Sequence, residues 1–123
     1  MEIVSNPRDM QAAALTWRQQ HQFIAFVPTM GYFHEGHLSL MRYGRKQGDR
    51  LVVSLFVNPT QFGPGEDLDR YPRDPERDAA LAREVGVDVL YTPTAAQMYP
   101  EGYQTYVTVE EVSRGLCGAT RPG

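Results

Sequence analysis

The chain has a single cysteine, Cys117, among its 123 residues. One thiol excludes an intrachain disulfide and fits a reducing, cytoplasmic setting, and Cys117 itself reads as a small packing residue, not as a nucleophile. Apolar runs of membrane-spanning length are missing, and Met1-Glu2-Ile3-Val4 lacks the charged start and apolar core of a signal peptide, so no membrane partner is expected. Positive charge is not in excess. Twelve Lys and Arg against fifteen Asp and Glu, interspersed, give a net charge of -3, without the basic footprint of a nucleic-acid binder. Internal repeats and low-complexity segments are absent too. The composition that remains, 41% hydrophobic and 22% charged, is enough for one core and one domain.

Helix and strand signals alternate along the chain. Asn6 is placed to cap a helix starting at Pro7, with Met10, Ala13, Ala14 and Trp17 as its apolar stripe to about Gln20, and Trp17 as core packing. Phe23-Ile24-Ala25-Phe26-Val27 predicts a strand stopped by Pro28, which cannot donate to a ladder. From His37 a helical pattern puts Leu38, Met41 and Arg45 on one face, with Leu40 and Gly44 beside it. Leu51-Val52-Val53-Ser54-Leu55-Phe56-Val57 is nearly continuous in apolar character, which predicts a central parallel strand covered on both faces. Asp74 predicts a cap for a helix from Pro75, with Ala80, Leu81 and Val85 inward and Gly86 closing it in left-handed geometry. Val87-Asp88-Val89-Leu90-Tyr91 gives a third strand, Thr105-Tyr106-Val107-Thr108-Val109 alternates like another, and residues 110–116 read as a short helix. Joined by right-handed crossovers, these elements make an α/β, doubly wound parallel sheet, in which ligands lie beyond the C-terminal strand ends.

Two loops leave strands on that edge. The first, from Pro28 to His37, carries His34 and His37 flanking Gly36 at a helix start. The first turn of a helix has unpaired N–H groups and the positive end of the macrodipole, so an anion is favoured there. Histidines three apart are neighbours on that turn and are able to aim ring N–H groups at one phosphate, while Gly36 has no side chain to hold a ligand away. Two other uses stay open to the pair: a metal, although the zinc-protease pattern needs spacing four and no Cys or third His lies nearby, and plain capping or packing. The second loop, Asn58 to Phe62, offers Gln61, whose amide donates and accepts, and Asn58 as its assistant; as a bare turn it would merely expose those amides. The stretch from Gly63 to Arg73, charged and glycine-rich, reads equally as a mobile flap or as a solvated loop.

Pro28-Thr29-Met30-Gly31-Tyr32-Phe33-His34-Glu35-Gly36-His37 resembles the His-x-Gly-His nucleotidyltransferase signature in the form found in the pantothenate synthetase, or pantoate-beta-alanine ligase, family. Val57-Asn58-Pro59-Thr60-Gln61-Phe62, Glu66-Asp67-Leu68-x-Arg70-Tyr71-Pro72-Arg73, Met98-Tyr99-Pro100 and Arg121-Pro122-Gly123 resemble the family in the same order. Phe33 and Thr60 depart from it, standing where leucine and where methionine or leucine are usual. The resemblance implies a truncated Rossmann-like sheet of the His-x-Gly-His type, with residues 1–123 as an N-terminal domain binding nucleotide and pantoate. In the family a later lysine and arginine, and a small C-terminal domain, follow. It also implies an ATP-dependent ligation, with Mg2+ accompanying ATP, of pantoate and beta-alanine to pantothenate, a coenzyme A precursor, in a cytoplasmic homodimer. Met30, Gly31, Tyr32, Phe33, His34, Glu35, Gly36 and His37 would line the ATP site, with His37 as proton donor beside His34. Gln61 would bind pantoate and beta-alanine, and Asn58 pantoate. Other readings are a non-catalytic piece that folds and self-associates, or another His-x-Gly-His nucleotidyltransferase, against which the Asn58 to Phe62 loop argues.

Overall fold

The computed structural model describes residues 1–64 and 67–111. Cys117, the Arg121-Pro122-Gly123 motif, Gly65, Glu66 and the helix expected to 116 lie, wholly or beyond residue 111, outside the described residues. Four parallel strands, β1 (Glu2–Val4), β2 (Ile24–Thr29), β3 (Arg50–Leu55) and β4 (Val89–Tyr91), form a sheet in the order β1-β4-β3-β2. Helices α1 (Pro7–Gln19), α2 (Glu35–Gln47), α3 (Pro75–Val85) and α4 (Ala95–Met98) alternate with them. The chain crosses the sheet from β1 to β2 through α1 and returns through β3 and β4, so right-handed crossovers put α1 on one face and α2 with α3 on the other.

The caps form as their residue types dictate. Asn6 Oδ1 accepts from the N–H of Arg8 at 2.8 Å, Asp74 Oδ1 accepts from that of Arg77 at 3.2 Å, and Gly86 closes α3 at φ 93°. Leu51, Val52, Val53 and Ser54 of β3 are all buried, as a central strand requires. With Val27, Phe33, Met41, Ala82 and Leu90, the inward residues of β3 make the core between the sheet and α2 with α3. Gly44 is buried in α2, where a Cβ would lie 3.0 Å from Leu51 Cδ1. At the edge opposite the strand C-termini, Arg45 donates to Gly86 O, Gly48 O, Asp49 O and, at 2.7 Å, to Asp88 Oδ2.

Several expectations are corrected. β2 runs through Pro28, in register with Ser54, because as the outer strand it has a side with no ladder to serve. β1 was not foreseen: it is three residues long and mostly exposed, and only its pairing with β4 defines it. In α3 it is Asp78, Ala79 and Ala82 that are buried, whereas Ala80 is exposed. The carboxylate of Asp78 must face inward, and it sets the phase. Trp17 is only half-buried, its ring lying under the Arg50 guanidinium at 5.1 Å. Residues 105–109 are not built as a strand; Val107 is 92% exposed, and alternation makes a strand only where a core receives every second residue.

Leu51 is fully buried and Leu40 is 52% exposed. Leu51→Ala is expected to lower the unfolding free energy by about 2–5 kcal/mol. Leu40→Ala should change it by no more than about 0.5 kcal/mol, both read by urea denaturation.

Candidate active site

The loop after β2 is bent by two consecutive left-handed residues, Gly31 at φ 82° and Tyr32 at φ 53°. Glycine takes that conformation freely, but tyrosine does not, so something must hold it. Asp78 does so from the first turns of α3. Its carboxylate, 1% exposed, accepts from the N–H of Tyr32 at 2.7 Å and of Phe33 at 2.8 Å. Arg77 adds a bond from Nη1 to Phe33 O at 3.0 Å, with its guanidinium 5.8 Å from the centroid of the Tyr32 ring. On the strand side, Thr29 Oγ1 donates to Ser54 O at 2.7 Å and accepts from the N–H of Gly31 at 3.2 Å. Phe33 is 1% exposed and belongs to the core, so it offers a ligand only backbone.

The two histidines close the start of α2 reciprocally. His34 Nδ1 accepts from the N–H of Gly36 at 3.0 Å, and His37 Nδ1 accepts from the N–H of His34 at 3.1 Å. This is the geometry of a capping box, built from imidazoles. A ring nitrogen that accepts from a backbone N–H carries no proton, so in each neutral ring the proton sits on Nε2, which is left as a donor. The capping reading of the sequence is therefore right about one nitrogen of each ring, and leaves the other for chemistry. The rings lie 3.9 Å apart, tilted by 34°. Burial holds the His37 pKa below the ordinary histidine value, the nearby His34 lowers it further, and Asp78 opposes both. Gly36 has a reason the sequence did not reveal, since a Cβ there would stand 2.8 Å from His34 Cε1. Glu35 points outward and pairs with Arg42.

His37 lines a cleft of about 420 Å³ at the C-terminal ends of β2 and β3, with Thr29, Met30, Asn58, Gln61 and Tyr71. The two loops singled out in the sequence thus meet in one cavity. Asn58 and Gln61 enter it from a 3-10 turn, Pro59–Gln61, that Asn58 Oδ1 caps by accepting from the N–H of Thr60 at 3.1 Å. A second cleft of about 320 Å³ shares Met30 and Phe56 with the first and extends past Gly31 and Tyr32 to Arg73, Asp74 and Asp78. Among the described residues no group of three or more His, Cys, Asp or Glu is placed to hold a metal ion. Both Asp78 oxygens are engaged by the loop and Asp74 Oδ1 by its helix.

The pantoate-beta-alanine ligase family model matches residues 2–123. The chain belongs to this family. It is 65% identical over its whole length to the pantothenate synthetase of Syntrophotalea carbinolica, and 61% to that of Syntrophus aciditrophicus. It spans 44% and 43% of those two proteins, under half of each. The crystal structure of pantothenate synthetase from Thermus thermophilus superposes with a TM-score of 0.89 at 49% identity, covering the whole of this chain and 43% of that one. The pantoate-beta-alanine ligase of Francisella tularensis, solved with Beta-gamma ATP and beta-alanine, gives 0.90 at 36% identity, over 47% of its length. The Rossmann-like parallel sheet is thus that of the family.

Sequence reasoning missed Asp78 and Arg77, and it quoted Tyr71 within a family-like run without giving it a place in the site. Tyr71 left a signal as an aromatic in a charged, glycine-rich stretch. Asp78 left only a carboxylate among alanines on a helical face.

Asp78→Asn turns an amide NH2 toward one of the two loop N–H groups, and should lower the unfolding free energy by about 1–3 kcal/mol in urea denaturation. The His37 ring proton, followed by NMR against pH, should titrate below the ordinary histidine value, and His34→Ala should raise its midpoint while burial keeps part of the shift. The unfolded chain then takes up this proton at higher pH than the folded one. The corresponding stability is complete above about pH 6.5 and is lost as the pH falls through the lowered folded midpoint.

Proposed function

We propose that residues 1–123 form the N-terminal, nucleotide- and pantoate-binding part of an enzyme that ligates pantoate to beta-alanine at the expense of ATP. In the first step a pantoate carboxylate oxygen attacks the α-phosphorus, the bond to pyrophosphate breaks, and pantoyl adenylate forms. In the second, the beta-alanine amine attacks the acyl carbon and gives up a proton, and AMP leaves, yielding pantothenate. The observation that carries this reading is the meeting of His37 with Asn58 and Gln61 in one cleft of a chain whose residues 2–123 match the family. The Beta-gamma ATP and beta-alanine of the Francisella tularensis structure are the ligands this reading requires.

The roles follow from the chemistry of each group. Negative charge grows on phosphate oxygens as the carboxylate attacks, so fixed donors aimed there act most strongly in the transition state. Of the groups at the start of α2, the Gly36 N–H is already taken by His34 Nδ1, so the donor that lines the cleft is His37 Nε2–H, which would be the proton donor to the reacting phosphate with His34 Nε2–H beside it. Met30, Gly31 and Tyr32 would border the nucleotide together with the backbone of Phe33, Glu35 and Gly36, the Glu35 side chain being turned outward to Arg42. Gln61 would bind pantoate and then beta-alanine, with Asn58 on pantoate. Magnesium would arrive on the phosphates of ATP, which suits a cation that keeps few protein ligands. A cytoplasmic homodimer is the corresponding expectation for the cell; among the described residues no helix is long and apolar enough to cross a membrane.

The test is pantoate-dependent release of pyrophosphate from ATP by a chain of the relatives' length, with the 123-residue chain assayed beside it. Gln61→Ala in the longer chain should lower kcat/KM for pantoate about ten- to hundredfold, the value of a hydrogen bond to a charged group, and leave the affinity for ATP within about twofold. Equal losses on both substrates would contradict the role given to Gln61. No pantoate dependence at all would remove the ligase reading in favour of a non-catalytic module.

A further inference from the structure

Asn58 Oδ1 is the most heavily engaged side-chain atom bordering the larger cleft. It accepts from the Thr60 N–H at 3.1 Å, from Thr60 Oγ1 at 2.8 Å and from Tyr99 Oη at 2.9 Å. An amide oxygen has two lone pairs, so three converging donors leave it nothing for a ligand. The flipped amide is excluded as well, because it would set an NH2 group against the Thr60 N–H, which has no acceptor to offer. The one amide atom left for the cleft is Nδ2, with two donors. Tyr99 reaches this turn from 41 residues away in sequence, at the end of α4, and its ring is steadied by Phe56 at 6.3 Å and Tyr103 at 5.2 Å between centroids.

We infer that Thr60 and Tyr99 are positioning residues that lock the rotation of the Asn58 amide, so that Asn58 meets the acid substrate only as a hydrogen-bond donor. The inference rests on the pantoate reading above and deepens it. Two N–H donors suit a carboxylate or hydroxyl oxygen and repel an ammonium, whereas Gln61 on the same turn keeps both a donor and an acceptor. The two amides therefore divide the tasks: Asn58 serves only oxygen acceptors, such as the carboxylate or hydroxyls of pantoate, and Gln61 is able to serve an oxygen acceptor and the amine in turn.

The test is an NMR titration of the 15N-labelled 123-residue chain with (R)-pantoate and, separately, with ATP. The parent, Thr60→Leu, Thr60→Ser and Tyr99→Phe are compared, each shown to be folded by its backbone amide spectrum. Pantoate should shift the Asn58 NH2 signals of the parent. Thr60→Leu and Tyr99→Phe should each weaken pantoate about three- to tenfold, the worth of one hydrogen bond, with ATP unchanged within about twofold and Thr60→Ser restoring the parent value. Equal pantoate affinity in all four chains, parallel loss of both ligands, or failure of serine to rescue would each overturn the lock and leave the pantoate site standing. A different pattern, with pantoate moving neither Asn58 nor Gln61 signals in the parent, would remove the pantoate reading itself and the lock with it.

Discussion

The carboxylate of Asp78 beneath the N–H groups of Tyr32 and Phe33 is the contact on which the rest of the site depends. A buried charge is costly unless hydrogen bonds replace its water, and a left-handed tyrosine costs on the order of 1–3 kcal/mol unless something over-determines it. Each problem is the other's solution. The carboxylate is satisfied by two charge-assisted bonds, and the loop is held at the bend that delivers His34 to the cap of α2. The same contact fixes the rotation of α3, which is why Ala79 and Ala82, and not Ala80, reach the core. One side chain thus joins the end of β2, the start of α2 and the start of α3.

The histidine pair shows structure and chemistry drawing on one protonation state. Each Nδ1 accepts a backbone N–H only while it is unprotonated, so the neutral ring that caps the helix is also the ring whose Nε2 donates. Protonation would abolish the cap. Burial and the adjacent ring, which lower the His37 pKa, therefore protect the helix start and the donor together. Gly36 belongs to the same economy of space: its missing Cβ leaves room for the His34 ring that caps its own N–H.

What was legible in the sequence was local. Asn6, Asp74 and Gly86 announce helix ends because capping involves neighbours in the chain, and the apolar run of β3 announces a central strand because both faces are covered. The loop from Pro28 to His37 was legible for the same reason, since strand, glycines and histidines follow one another within eleven residues of Val27. Asp78 was not legible, because its partners lie 45 and 46 residues away and nothing in its own surroundings marks it. Pro28 misled because the rule against proline in a ladder depends on which side of a strand is paired, a fact of topology and not of sequence. Thr60 stood in the sequence only as a departure from the family pattern, and the contacts around Asn58 give its hydroxyl a place in the geometry of that amide.

The electrostatics of the cleft argue for a division of labour in the proposed reaction. None of the described residues lining the larger cleft is a lysine or arginine; its donors are amides, hydroxyls and an imidazole kept neutral. Nearby guanidinium groups are spent on carbonyls, Arg73 on Leu68 and Tyr71 and Arg77 on Phe33. Neutral donors fixed by the backbone hold a ground-state phosphate less tightly than cations would, and gain most where new charge appears at the attacked phosphorus. The charge of the departing pyrophosphate is a different task, which needs full cations. On the ligase reading that task would fall to groups outside this cleft, so that the His34–His37 turn would be left to discriminate the transition state from the bound nucleotide.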